Sequence, residues 1–248
     1  MKRILSDLAE VELDEWKYAM QRKPRLAQTA VRNIQKRINR VIPERVHRVI
    51  TKTIKELTRA VLFSANFTTR IPDDLITFDQ KEKKALEHIN FYCSSASAEG
   101  AITGFGGFLS GLADFPLWLS LKMKMLFSIA ATYGFDTNDY KERLFILYIF
   151  QLAFSSQHKR NEIFEIISNW DQKKSGLPND LNEFDWRTFQ LEYRDHIDLA
   201  KLFQLIPGIG AVVGAVVNHR LTHRLGKMAM NAYRMRLLNS VIHLEAHD

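Results

Sequence analysis

One cysteine in 248 residues, Cys93, is all the thiol chemistry this chain possesses. A single thiol excludes an intrachain disulfide and any zinc knuckle built on several cysteines, and it fits a reducing compartment, the cytoplasm. A secretory leader is not expected: MKRILSDLAEVELDEW brings acids in early, and no apolar core follows its basic pair. Nor is there an uncharged run of the ~20 apolar residues that a spanning helix needs. Leu202 to Val217 and Leu144 to Gln157 are too short. Gly100 to Leu121 reaches the length only with Asp114 and Pro116 inside, where a lone carboxylate costs roughly 2.5–3.5 kcal/mol. A helical hairpin entering one leaflet remains compatible with that run. Strand-like alternation is absent throughout. No G-x-S-x-G elbow surrounds Ser64, Ser110 or Ser120, and no G-x-x-x-x-G-K-[ST] phosphate loop occurs. No catalytic residue and no cofactor are therefore assigned.

What the chain does have is positive charge, and it is concentrated. The whole sequence carries a net charge of +7. Between Lys17 and Arg59 thirteen Lys and Arg stand against Glu44 and Glu56, a local +11. Within this segment Leu26, Ala30, Ile34, Ile38 and Val41 recur in steps of about one helical turn. After Pro43, Val46, Val49, Ile50, Thr53, Ile54, Leu57 and Val61 do the same. Two basic amphipathic helices result. Arg25, Arg32, Lys36, Arg37, Arg40, Arg48, Lys52 and Lys55 are the candidate contacts to an anionic lipid surface. The plainer reading makes them the solvated faces of packed helices. Nucleic acid is the least supported partner, because neither a helix-turn-helix glycine turn nor an RNP-like aromatic pattern accompanies the charge.

The other concentration is glycine. Six of the eleven glycines lie between Gly100 and Gly134, and a shorter run of similar character, LIPGIGAVVGAVV, spans Leu205 to Val217. Gly100 with Gly104, Gly107 with Gly111, and Gly210 with Gly214 are spaced four apart, which leaves one helix face without side chains and favours a close helix crossing. Asp114 before Phe115-Pro116 reads as the cap of a new helix, whose apolar body LWLSLKMKMLFSIAATY belongs in the core. Gly134 ends that helix at a positive φ. Asp136 or Thr137 caps the next, which runs to about Ser155. Earlier, Thr77 and Gln80 have the spacing of a capping box for the helix that leads into Gly100.

A first helix over residues 4 to 22 turns Leu5, Leu8, Leu13, Trp16 and Met20 inward. Asn161 to Trp170 is a short helix, Asp171 to Asp185 an exposed loop, and helices from Trp186 to Pro207 and from Gly208 onward complete the chain. The expectation is an all-α protein of seven to nine helices. It forms one continuous domain, with a basic amphipathic region over residues 1–65 and a helical core over 66–248.

For chemistry there are few candidates. His219 with His223, and His243 with His247, have the i, i+4 spacing that aims two rings at one ion. Two ligands do not make a metal site, and Arg220 and Arg224 beside the first pair oppose a cation, so no metal is assigned. Cys93, following Phe91 and Tyr92, reads as a buried inert thiol. Asp114, Asp136, Arg143 and Asn218 flank the least polar segments, where a pocket would be dry.

Three blocks resemble the EcsC family, a bacterial group named for a member encoded beside an ABC transporter. They are AEGAITGFGGFLSGLADFPLWLSLKMKM at residues 98 to 125; the YGFD of Tyr133 to Asp136 with Glu142 and Arg143; and IPGIGAVVGAVVN at Ile206 to Asn218, followed by Gly226, Ala229 and Tyr233-Arg234. EWK at Glu15 to Lys17 adds a weaker match. The resemblance implies an all-helical protein at the inner face of the cell membrane, with an ABC transporter as partner and no catalytic residues to carry over. A non-enzymatic, membrane-peripheral accessory role is the leading expectation. The alternative is an enzyme or small-ligand or lipid carrier with a pocket between the glycine-rich helices.

Overall fold

The computed structural model describes residues 5–22, 44–63, 67, 69–71, 77–103, 107–155, 157–177, 185, 189 and 211–245, and for 47, 95–103, 107–114, 157–158, 211–217 and 241–245 it describes the backbone alone. Among these residues there are eight helices and no strand. They are α1 (Asp7–Gln21), α2 (Glu44–Phe63), α3 (Phe78–Thr103), α4 (Gly107–Thr132), α5 (Tyr140–Phe154), α6 (Gln157–Ser168), α7 (Trp170–Ser175) and α8 (Ala211–Glu245).

α8 is the axis. It runs antiparallel to α3, as three matched levels show: the Cys93 thiol lies 3.8 Å from the His219 carbonyl, Ile89 packs on Gly226, and Glu82 meets Arg234. A Cβ at Gly226 would stand 2.4 Å from Ile89 Cγ1, so the two helices approach each other there as only glycine permits. α4 folds back along α3, with the Lys81 ammonium on the Tyr133 carbonyl at 3.3 Å. α5 is buried nearly all round, from Tyr140 to Phe154, and packs on α8, α6 and α2. A helix covered on every side must be apolar on nearly every side, and YKERLFILYIFQLAF is, save for Gln151 and a first turn whose Glu142 and Arg143 are both engaged. α1 lies against α8 and α6, and Trp16 meets Phe164 edge-on at 5.3 Å.

Local signals act as expected at several points. The Thr77 amide donates to Gln80 Oε1 at 2.9 Å and the Gln80 amide to Thr77 Oγ1 at 3.4 Å, a reciprocal capping box at the start of α3. Gly134 adopts φ 94° after α4. On α2, Val46, Ile50, Ile54, Leu57 and Val61 are buried against α4 and α5.

Other expectations are corrected. Asp114 does not start a helix, because α4 passes through both it and Pro116. Proline there removes one backbone hydrogen bond at a cost of about 3 kcal/mol. Burial of Phe115, Trp118, Leu119 and Met123 just beyond it outweighs that loss, and Ser120 Oγ donates back to the Pro116 carbonyl at 2.9 Å. Leu8 points outward, 70% exposed, and Ala9 takes its place in the core. Neither Asp136 nor Thr137 caps α5. Asp139 does, accepting from the Lys141 amide at 2.9 Å, while Asp136 closes a turn on the Asn138 amide. Asp171 to Ser175 is helical and not loop, anchored by the buried Trp170 ring against Phe145. The expected helices over Leu26 to Val41 and Trp186 to Pro207 lie outside the described residues. No described helix is long and apolar enough to cross a membrane.

Candidate functional site

Two charge clusters meet where α1, α3, α4, α5 and α8 come together. In the first, the Arg234 guanidinium on α8 is the hub. Its Nε donates to Glu82 Oε1 at 3.0 Å, its Nη2 to Glu82 Oε2, and its Nη1 to Glu12 Oε2 at 2.8 Å and Asn231 Oδ1 at 2.7 Å. Tyr133 donates its hydroxyl to the same Glu82, and Lys227 reaches Glu12 at 3.1 Å. One arginine thus ties α1, α3 and α8 together, with its side chain only 3% exposed. In the second cluster, Tyr233 donates to Glu142 Oε1 at 2.8 Å and Arg236 Nη1 to Glu142 Oε2 at 2.6 Å. The Arg236 guanidinium lies over the Phe135 and Phe145 rings at 4.1 and 4.4 Å. The Tyr133 and Tyr233 rings stack at 5.8 Å and join the clusters.

The electrostatics follow from burial and pairing. Burial alone would raise the Glu12 carboxyl, but its bonds to Arg234 and Lys227 hold it below the usual range. Burial lowers Arg234, but Glu82 and Glu12 carry it above the ordinary arginine value. Burial raises Glu142 despite Arg236 and Tyr233. Burial, with the Glu82 and Glu142 charges beside them, drives the Tyr133 and Tyr233 phenols well above their usual value. No phenol here ionises near neutrality, and each carboxylate already accepts from a cation. The arrangement is a clamp between helices rather than an acid–base pair.

The sequence-singled polar residues separate in space. Arg143 donates from Nε to the Thr137 carbonyl at 2.9 Å and from Nη1 to the Leu62 and Val61 carbonyls at 3.3 and 3.4 Å. It thereby closes the C-terminal end of α2. Asp136, exposed in its turn, is close enough to support the Arg143 charge. Asn218 is buried on α8, roughly 24 Å along the helix from Arg234 by the rise of 1.5 Å per residue. Its Oδ1 has no hydrogen-bond partner among the described residues. The Asp114 side chain lies outside the described residues, as do Gly104, Gly210 and the cations Arg25, Arg32, Lys36, Arg37 and Arg40. Gly100, Gly107, Gly111 and Gly214 sit on helical backbone.

Arg48, Lys52 and Lys55 are exposed on α2. His219 and His223 are exposed on α8, where burial and the neighbouring Lys227 and His219 lower the His223 pKa. No group of three potential metal ligands occurs among the described residues. The Cys93 thiol is buried, and burial raises its pKa against the opposing charge of Lys122. Glu12 and Glu82 were invisible as site residues in the sequence, since each stands in a stretch of ordinary surface composition.

An all-helical chain locked by a buried arginine–glutamate–tyrosine clamp is the class this structure defines. A model of the EcsC protein family matches residues 8–238, and the chain belongs to that family. It is 41% identical over 225 residues to Protein EcsC of Bacillus subtilis (strain 168), covering 90% of this chain and 92% of that protein. It is also 34% identical over 144 residues to the Uncharacterized protein YdbA of the same organism, covering 58% of this chain and 53% of that one. No solved structure matches the chain significantly. Of the residues that carried the resemblance, Tyr133, Glu142, Gly226, Tyr233 and Arg234 converge on the clamp and the α3–α8 contact, while Arg143 secures the end of α2.

Proposed function

We propose that this protein is a non-enzymatic accessory protein that docks on the anionic inner face of the cell membrane, in the company of an ABC transporter. The observation that carries the membrane reading is the outer face of α2. Arg45, Arg48, Lys52, Lys55 and Arg59 are all exposed there, and none is held in an ion pair among the described residues. This contrasts with Arg234 and Arg236, whose charges are spent inside the protein. The apolar face of α2 is already committed to the core through Val46, Ile50, Ile54, Leu57 and Val61. The helix therefore meets lipid by charge and not by insertion, each near-surface cation contributing roughly 1 kcal/mol. The transporter partner is what the family resemblance implies, and no described residue argues for it separately.

Co-sedimentation with phosphatidylcholine and phosphatidylglycerol vesicles across a salt series tests the membrane reading. Binding is expected to phosphatidylglycerol alone and to disappear at high salt. The variant Arg48→Glu/Lys52→Glu/Lys55→Glu loses at least three cation contacts, roughly 3 kcal/mol or about a hundredfold in affinity. Wild-type protein left in the supernatant at low salt, or a triple variant that binds as well as wild type, overturns the reading.

A further inference from the structure

Apart from the clamp and from the α2 face, α6 holds an arginine in an unusual position. Arg160, in the first turn of α6, is 9% exposed, and its Nε is buried without a hydrogen-bond partner among the described residues. Burial, and after it the charge of Arg224 on α8, push Arg160 down to about 10. It therefore remains a cation at neutral pH. Around it the acids are engaged elsewhere: Glu162 with Lys159 at 3.0 Å, Glu12 with Arg234 and Lys227. The first turn of α6 contains no acid, so the helix end adds its own partial positive charge. Trp16 of α1 packs against Phe164, one turn beyond Arg160, and its indole N–H is a second buried donor without an acceptor. Toward solvent, Arg220 of α8 adds a further exposed cation.

Folded proteins do not ordinarily bury a guanidinium without a counter-charge, and here a second cation, Arg224, acts on it across the α6–α8 contact. Arginine pairs that lack a carboxylate are complementary to a phosphate, whose oxygens accept from the planar guanidinium fork two at a time. We infer that Arg160 and Arg224, at the junction of α1, α6 and α8, form a binding site for a phosphate group. A monoester dianion matches the two cations in charge, and the open side of the site at Arg224 admits it from solvent. Inorganic phosphate, a soluble phosphomonoester and a phosphatidic acid headgroup share this chemistry. The site is separate from α2, which packs on α4 and α5, and so stands independently of the proposed docking face.

Thermal unfolding of the full chain in sodium phosphate, against sodium chloride at equal ionic strength, is the test, with isothermal titration by inorganic phosphate and by glycerol 3-phosphate. Phosphate is expected to raise the melting temperature of wild-type protein. Arg160→Met keeps the length and packing of the stem while removing the charge. It is expected to fold as well as wild type in chloride and to weaken phosphate binding about tenfold or more. Arg224→Gln, at an exposed position, gives the same loss without touching the interior. Vesicles of phosphatidylcholine with and without phosphatidic acid, tested on the Arg48→Glu/Lys52→Glu/Lys55→Glu background, identify the source. Retained binding that requires Arg160 assigns the site to a lipid headgroup, and binding of the soluble probes alone assigns it to a free phosphate compound. The absence of a phosphate-specific rise in the wild type, or a rise that survives in both Arg160→Met and Arg224→Gln, overturns the inference.

Discussion

Replacing Arg234 with methionine removes the hub of the clamp while keeping most of its apolar stem. Its guanidinium is shared between Glu82, 14% exposed, and Glu12, 33% exposed. Breaking a buried ion pair by deleting one partner costs about 3–5 kcal/mol, because the other charge stays buried. Here Glu82 keeps the Tyr133 hydroxyl and Glu12 keeps Lys227. Both carboxylates also touch water, so the loss belongs at the lower end, about 3 kcal/mol. For a chain of this size one kcal/mol moves the melting temperature by about 2–4 °C, so Arg234→Met is expected to melt about 6–12 °C below wild type. The decisive comparison is a cycle with Glu82→Gln. If the carboxylate is costly only when unpaired, the double variant recovers part of the loss, with a coupling of about 1–3 kcal/mol. Urea unfolding followed by far-ultraviolet circular dichroism measures all four proteins. A single-variant loss below about 1 kcal/mol, or strict additivity in the cycle, would refute the clamp.

Gly226→Ala places a methyl into Ile89, which is fully buried and cannot move aside, and is expected to cost about 1–3 kcal/mol. Combined with Ile89→Ala it should cost less than the sum of the two, and additive denaturation midpoints would show that the helices are not in contact there. At Gly134, φ 94° leaves a Cβ strained even though the nearest heavy atom, Lys81 Nζ, is 3.5 Å away. Gly134→Ala should therefore lose about 1–2 kcal/mol in urea unfolding, and a neutral result would contradict the left-handed turn. Glu12 has a folded pKa below its ordinary 4.5, so its contribution is complete above that value and fades as pH falls through the folded pKa. The stability advantage of wild type over Glu12→Gln should accordingly shrink in acid. A difference that stays constant from about pH 7 to about pH 3 would mean that Glu12 is not paired.

The sequence showed most plainly what depends on neighbours a few residues away. The capping box at Thr77 and Gln80, the turn at Gly134 and the buried face of α2 are each decided within one or two helical turns, and each can be read from residue type and spacing. Misreadings arose where a local rule met a tertiary gain. Pro116 has every local reason to stop a helix, yet the buried aromatic and aliphatic side chains after it keep α4 continuous. Leu8 and Ala9 are adjacent candidates for one core position, and only the packing of α1 on α6 and α8 chooses between them. Three capping residues crowd the start of α5, and the closing of Asp136 on Asn138 leaves that task to Asp139. The clamp could not be read at all by spacing. Glu12 and Arg234 are separated by 222 positions, and nothing in the composition around Glu12 distinguishes it from a solvated surface acid. Resemblance brought Tyr133, Glu142 and Arg234 into view, and only the structure explains why they belong together.

The pairing of α1 with α8 also sets an order of events during synthesis. α1 leaves the ribosome well before α8, and its ionic partners Lys227 and Arg234 are added more than 200 residues later. At about 5–20 residues per second, the gap between Glu12 and Arg234 lasts about 10–40 s. Through that interval Ala9, Leu13, Trp16 and Met20 lack the α8 surface they finally cover, and Gly226 has not yet reached Ile89. Docking of α1 consequently waits until α8 has been made, and a chain stalled or truncated before Lys227 presents an unsealed apolar face to the chaperones and proteases around it.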